Sequence, residues 1–251
     1  MIGIFDSGSG GLSVLYAIKE RLPSVDVIYF GDIKNAPYGA RSREELSLLT
    51  VNALSLLKAR GATRIVSACN SVSASLAVSL FDAIDIMPND LIEMVGPTVS
   101  AFKGTTTRTL LVATEATIAS GIYQNAFRMI GKEIECVALP DLARKIEFSE
   151  PDNEMKKEID SILAPRKGTF DTLVLACTHY PLVTELFSEV VGTGVQIFDP
   201  AVRVATRVEK QFWPQEAGSG TMQFFISAES EPFRRLVARL FPKSEYSVQI
   251  V

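Results

Sequence analysis

Ile65-Val66-Ser67-Ala68-Cys69-Asn70-Ser71 and Leu173-Val174-Leu175-Ala176-Cys177-Thr178-His179 are near-copies of each other, set far apart in the chain. In each, a short apolar run ends at a cysteine and small polar residues follow. Such a run reads as a buried parallel strand, and the polar residues as its exit into a loop or a helix start. Open α/β sheets bind ligands at the carboxyl ends of their strands. Each thiol therefore falls where such a sheet keeps its chemistry, and two thiols in matched settings point to a site with two-fold character.

Working outward, strands and helices alternate. Strands are predicted over residues 2–5, 27–30 and 65–68, and helices over 12–21, 43–60 and 71–81. The pattern restarts with strands over 110–113, 135–138 and 173–176; Thr114-Glu115-Ala116-Thr117 and a helix to Ile130 follow the first of these, and a further helix is predicted over 152–163. Gly96-Pro97-Thr98 reads as the boundary between the two runs. Strands over 222–226 and 246–251, with a helix over 231–241 between them, are expected to rejoin the first half. Alternation of this kind implies right-handed crossovers and mostly parallel sheets. The expected fold is α/β, with two pseudo-symmetric domains and the active site in the cleft between them. Residues 1–95 plus 208–251 form the first domain, with Cys69, and residues 96–207 the second, with Cys177.

With 47% hydrophobic residues in 251, the chain can bury a sizeable core. A formal charge of −4 and the lack of a basic block argue against a nucleic-acid partner. Three cysteines, an odd count, together with no leader-like segment suggest free thiols in a reducing cytoplasm. No apolar stretch is long enough to span a membrane.

Asp6-Ser7-Gly8-Ser9-Gly10-Gly11 follows the first strand and opens a helix. Amides exposed at a helix start bind carboxylates or phosphates, although a capped tight turn explains the same residues. A dinucleotide fingerprint needs glycine at position 13, which is Ser13. Cys136 has no polar company and reads as a small buried hydrophobe. Cys69 and Cys177 share a position at predicted helix starts, which lowers a thiol pKa from about 8.5. His179, the only histidine, stands two residues after Cys177 and suggests a thiol–imidazole pair. A metal held by Cys69, Cys177, His179 and Asp6 lacks close cysteine-pair spacing, so no metal is expected. Tyr38-Gly39 lies in a Pro-containing loop that is either a structural turn or a substrate-facing segment.

Two matched thiols fit one reaction type better than a redox pair or a single-nucleophile hydrolase. Inverting a stereocentre needs a base on one face of a carbon and an acid on the other, with roles exchanged for the other enantiomer. A small-anion binding protein that uses the same cleft without catalysis, and a metal-dependent hydrolase, remain the alternatives from other classes.

The residues also carry a resemblance. Residues 4–12, Asp32 with Ala36-Pro37-Tyr38-Gly39, Ala68-Cys69-Asn70-Ser71, Ala113-Thr114 with residues 116–121, and Ala176-Cys177-Thr178-His179-Tyr180-Pro181-Leu182 resemble successive motifs of the bacterial glutamate racemases. These belong to the cofactor-independent aspartate/glutamate racemase superfamily. The resemblance implies a two-domain fold, D- and L-glutamate bound in the cleft, no cofactor, a homodimer, and a product destined for peptidoglycan. By position it makes Cys69 and Cys177 the two acid/bases, with Asp6 assisting Cys69 and His179 assisting Cys177. Glu147 falls where the family has a further assisting glutamate, after Arg144 in place of a usual proline. Substrate contacts are implied for Asp6, Ser7, Tyr38, Gly39, Asn70, Ser71, Thr178 and His179. Ser71 stands where threonine is usual, Val72 where alanine is, and Ala176 where glycine is. Ser71 keeps the hydroxyl, and the other two reshape the pocket, so aspartate or another small acid is the alternative substrate.

Overall fold

The computed structural model of the chain describes residues 1–73 and 86–251. Its strands are β1 (Ile2–Asp6), β2 (Val27–Gly31), β3 (Arg64–Ser67), β4 (Leu91–Ile92), β5 (Thr109–Ala113), β6 (Glu135–Ala138), β7 (Thr172–Leu175), β8 (Gln196–Phe198), β9 (Met222–Ile226) and β10 (Tyr246–Ile250). They form a six-stranded sheet ordered β10-β9-β2-β1-β3-β4 and a four-stranded sheet ordered β6-β5-β7-β8. Every pairing between these strands is parallel.

Parallel sheets need cover on both faces, and alternate side chains supply it. Ile2, Ile4, Val27 and Tyr29 pack with helices Leu12–Arg21, Pro200–Phe212 and Glu231–Leu240, while Phe5, Ile28 and Phe30 pack with helix Arg43–Ala59. In the smaller sheet Leu110, Val112, Leu173 and Leu175 pack with helices Leu142–Glu147, Asp152–Leu163 and Thr184–Val191. Leu111, Ala113, Val174 and Ala176 pack instead with Val99, Tyr123 and Phe127. Burying each of these larger side chains contributes about 1.5–3 kcal/mol.

The two sheets share one winding. From β1 the chain steps to β2 on one side, then returns to β3 on the other. From β5 it steps to β6, then returns to β7 on the far side. Each sheet therefore has a switch point, between β1 and β3 and between β5 and β7, where a crevice opens at the carboxyl ends. The backbone repeats there in detail. Ala68 N donates to Phe5 O at 2.8 Å, and Ala176 N donates to Val112 O at 2.9 Å. Both cysteines then start a tight turn, with Val72 N donating to Cys69 O at 3.2 Å and Tyr180 N to Cys177 O at 3.1 Å.

Several local readings change. Gly96-Pro97-Thr98 lies inside helix Val95–Ser100 rather than in a linker. The chain still changes cores beside it, since Met94 packs with the larger sheet and Val95 and Val99 with the smaller. The helix expected after Thr114-Glu115-Ala116-Thr117 and running to Ile130 is two helices, Glu115–Ala119 and Ile122–Met129, which part at Gly121, whose φ of +67° suits glycine. Of the helix expected over 71–81, Asn70–Ser73 is helical, and residues 74–85 lie outside the described residues. The sequence boundary at 207/208 falls within helix Pro200–Phe212. That helix packs on Leu12–Arg21, with Ala201, Val204 and Val208 all in the core of the larger sheet.

Candidate active site

The two switch points meet at one small cavity. It is lined by Ser7, Pro37, Tyr38, Gly39, Cys69, Asn70, Ser71, Thr114, Ala143, Cys177, Thr178 and His179. Of the residues expected to act on or contact the substrate, all but Asp6 and Glu147 line it, and Val72 and Ala176, expected to reshape the pocket, do not. Asp6 and Glu147 stand behind the lining and are buried, at 0% and 3% exposure. The cavity measures about 20 Å³, roughly the room of one water. A small dicarboxylate needs the lining to move before it can enter.

The surroundings of the two thiols differ. Cys177 Sγ lies 3.8 Å from His179 Nδ1, and His179 Nε2 lies 2.6 Å from Glu147 Oε2. Glu147 reaches this point from the end of helix Leu142–Glu147, and its Oε2 accepts from Ser9 N at 2.9 Å and Ser9 Oγ at 2.8 Å. Glycine at position 10 makes room, since a Cβ there would lie 2.5 Å from Thr178 Oγ1 and 2.6 Å from His179 Nδ1. Cys69 Sγ donates to Ser7 Oγ at 3.6 Å. The bonds of Asp6 go elsewhere: its Oδ2 accepts from Gly8 N at 3.0 Å and its Oδ1 from Thr178 Oγ1 at 3.1 Å. Asp6 therefore acts on Cys69 through its field, not through a hydrogen bond among the described residues.

These settings move the charges in different ways. Burial pushes the Cys69 thiol up to about 12, and the charge of Asp6 adds to the rise. The expectation of a lowered thiol pKa at a helix start fails for Cys69, because desolvation and a nearby carboxylate both oppose a thiolate. Burial also lifts Asp6 above its ordinary value, against the opposing pull of His179. For His179 burial alone works downward, but the bonds to Cys177 and Glu147 carry it well above the ordinary imidazole value. For Glu147 burial works upward, and the bonds from His179 and Ser9 bring it below the ordinary carboxylate value. The outcome is a buried imidazolium–carboxylate pair behind Cys177 and a protonated thiol at Cys69.

Polar groups frame the rest of the cavity. Tyr38 OH donates to Asp32 Oδ2 at 2.6 Å, and Ser227 Oγ donates to Asp32 Oδ1 at 2.7 Å, which fixes the loop carrying Tyr38 and Gly39. Asn70 Oδ1 accepts from Tyr123 OH at 2.6 Å, which leaves Asn70 Nδ2 without a partner among the described residues and able to donate to a ligand. Ser71 Oγ lies 2.9 Å from Thr114 Oγ1, which in turn lies 3.0 Å from Thr117 Oγ1. Pro37 and Thr114, quoted in the sequence only as parts of motifs, and Ala143 line the cavity without having been assigned a role there. The signal for Thr114 was its place directly after a strand, the position Ser7 holds in the other half. Among the described residues no group of three or more His, Cys, Asp or Glu side chains is arranged to hold a metal ion. Nor is any described helix long and apolar enough to cross a membrane.

Comparison with known proteins agrees with this geometry. Residues 7–208 match the family described as Asp/Glu/Hydantoin racemase. A glutamate racemase of Aquifex aeolicus is 36% identical over 94% of this chain and 92% of its own length. One from Caldanaerobacter subterraneus subsp. tengcongensis is 33% identical over 100% of this chain and 96% of its own. The crystal structure of a glutamate racemase isoform from Bacillus anthracis superposes with a TM-score of 0.88 at 29% identity, covering 100% of this chain and 97% of the other. With paired cysteines at matched switch points of two parallel sheets, and with these relatives along its whole length, the chain belongs to the Asp/Glu/hydantoin racemase family, on its glutamate racemase branch.

Proposed function

We propose that this protein interconverts L- and D-glutamate by moving a proton at the α-carbon between Cys69 and Cys177, without a cofactor. The observation that carries the reading is the cavity itself, into which each half sends one cysteine from the same point of its winding. Residues 1–95 with 208–251 serve as the domain of Cys69 and residues 96–207 as that of Cys177, with helix Pro200–Phe212 spanning the second boundary.

A substrate held with its α-carbon between the two sulfurs has one thiol on each face. In one direction Cys177, as the thiolate stabilised by the His179 imidazolium at 3.8 Å, takes the α-proton and becomes the thiol. Cys69, held as a thiol, delivers a proton to the opposite face. In the other direction the roles reverse: Cys69, left as the thiolate once it has given up its proton, takes the α-proton, Cys177, now the thiol, delivers one to the opposite face, and Asp6 acts on Cys69 through its field. Asn70 Nδ2, Ser7 and the hydroxyls of Ser71 and Thr178 are placed to hold the substrate carboxylates, which also stabilises charge developing at the carbon. Closure around the substrate excludes water and strengthens each of these contacts. The D-glutamate formed would supply peptidoglycan synthesis in the cytoplasm.

A panel of amino acids separates this reading from its neighbours. Polarimetry or chiral chromatography should show racemisation of glutamate at least about 100-fold faster than of aspartate, a preference on the scale of a few lost contacts worth about 1.4 kcal/mol per factor of ten. Equal or faster turnover of aspartate would reassign the substrate. Binding of glutamate with no turnover would make the chain an anion-binding protein.

A further inference from the structure

We propose that Ser9 is a positioning residue. From the first half it fixes the Glu147 carboxylate of the second half, so that the Cys177–His179–Glu147 relay is complete only when the two halves are closed. Ser9 lies in the turn after β1 and is 4% exposed. Its N–H and its O–H both donate to Glu147 Oε2, at 2.9 and 2.8 Å, the same oxygen that meets His179 Nε2 at 2.6 Å. The other oxygen, Oε1, has no partner among the described residues. The turn is shaped around the carboxylate, since a Cβ at Gly8 would lie 2.7 Å from Oε2. Among the described residues, the donors that fix this carboxylate, His179 apart, thus come from across the cleft.

The consequence follows from the size of the cavity. At about 20 Å³ it admits no amino acid until the halves separate. Separation withdraws both Ser9 donors from Glu147, and closure restores them. The closed arrangement, with the contact made, is the resting one; opening to admit substrate breaks the relay and reclosure over the substrate restores it, which rests on the racemase reading above. The other titratable groups facing the pair are Asp6 and Tyr29 from the first half and Cys177 beside it. Glu150, Asp152, Glu185, Arg235 and Arg239 line an open groove on the outer side of Glu147.

The test uses Ser9→Ala in the full chain. The chain has one histidine, so its imidazole NMR signals belong to His179. Removing one donor from a buried carboxylate destabilises its anion most when the imidazole is neutral. The His179 midpoint in substrate-free protein should therefore rise by about one pH unit, the effect of one hydrogen bond to a charged group. Turnover of glutamate should fall about 10-fold, because the carboxylate loses a donor that fixes its place against His179. In a Glu147→Gln background, adding Ser9→Ala should change turnover by less than about two-fold, because the group it acts through has lost its charge. An unmoved midpoint, or an equal loss in both backgrounds, would overturn the role. The midpoint is read without substrate, so failure of the wild-type protein to racemise glutamate would refute the proposed activity and leave the Ser9 contact separately decided.

Discussion

Replacing Cys69 or Cys177 by alanine is expected to lower glutamate racemisation by about 10³-fold or more in both directions, in line with the 10²–10⁴ contributed by a positioned acid or base. The two losses must match between directions. Enantiomers have equal free energy in water, so kcat/KM for the two directions stays equal in any variant. No cysteine can be spared for one enantiomer, because each turnover needs a proton removed on one face and supplied on the other. Cys136 provides the internal control. It stands on β6, partly buried beside the core of the smaller sheet, and is absent from the cavity lining. Cys136→Ala should leave turnover within about two-fold, as is usual for a substitution away from the site. Racemisation within ten-fold of wild type by either cavity variant would contradict the assignment of both thiols.

Glu147→Gln is expected to be the next most damaging change, lowering turnover near pH 8 by about 10²-fold. The substitution keeps the shape and removes the charge that holds His179 as an imidazolium. In the wild-type protein His179 is raised well above its ordinary value. Its contribution to stability is full below about pH 6.5, the unfolded value, and is lost as pH rises through the folded value. Glu147 is lowered, so its contribution is present above its unfolded value and is lost as pH falls through the folded one. The ion pair is thus intact across mildly acidic and neutral pH. In Glu147→Gln the bond and the charge of Glu147 are gone, which leaves Cys177 and the more distant Asp6 against burial, and burial lowers the imidazole. The alkaline limb of the kcat/KM profile should move to lower pH, by one unit or more. A profile superposable on wild type would show that the carboxylate does not set the charge of His179.

Much of the architecture was legible because parallel strands are buried on both faces and read as unbroken apolar runs. The runs ending at Asp6, Ser67, Ala113 and Leu175 could be placed within a residue or two for that reason. β4 and β8, of two and three residues, are too short to leave such a signal. Helix Pro200–Phe212 did leave one. Asp199 accepts from Ala201 N at 2.9 Å, Pro200 takes the first helical position, and Ala201, Val204, Val208 and Phe212 follow at helical spacing. The nearby domain boundary masked that reading.

The candidate site was legible as a set of residues but not as a set of charges. Cys69, Cys177 and His179 announce themselves by type and position. That Cys69 is raised while His179 is held charged depends on burial and on contacts such as Ser9 with Glu147, which join residues 138 positions apart. No local pattern encodes that approach. The equivalence of the two thiols therefore holds for the backbone, where Ala68 and Ala176 make matched bonds, and ends at the side chains around the sulfurs. Cys177 has an imidazolium and a carboxylate behind it. Cys69 has a serine hydroxyl and the field of Asp6.

The most direct test of the two-thiol account follows the α-proton. L-glutamate is incubated with the wild-type protein in D₂O, and the α-position of both enantiomers is read during the first few per cent of conversion. Two monoprotic thiols on opposite faces predict D-glutamate that carries deuterium at Cα from the first turnover, while the remaining L-glutamate stays protonated. D-glutamate formed with the original proton retained would contradict the account, because a single base would then have carried that proton from one face to the other.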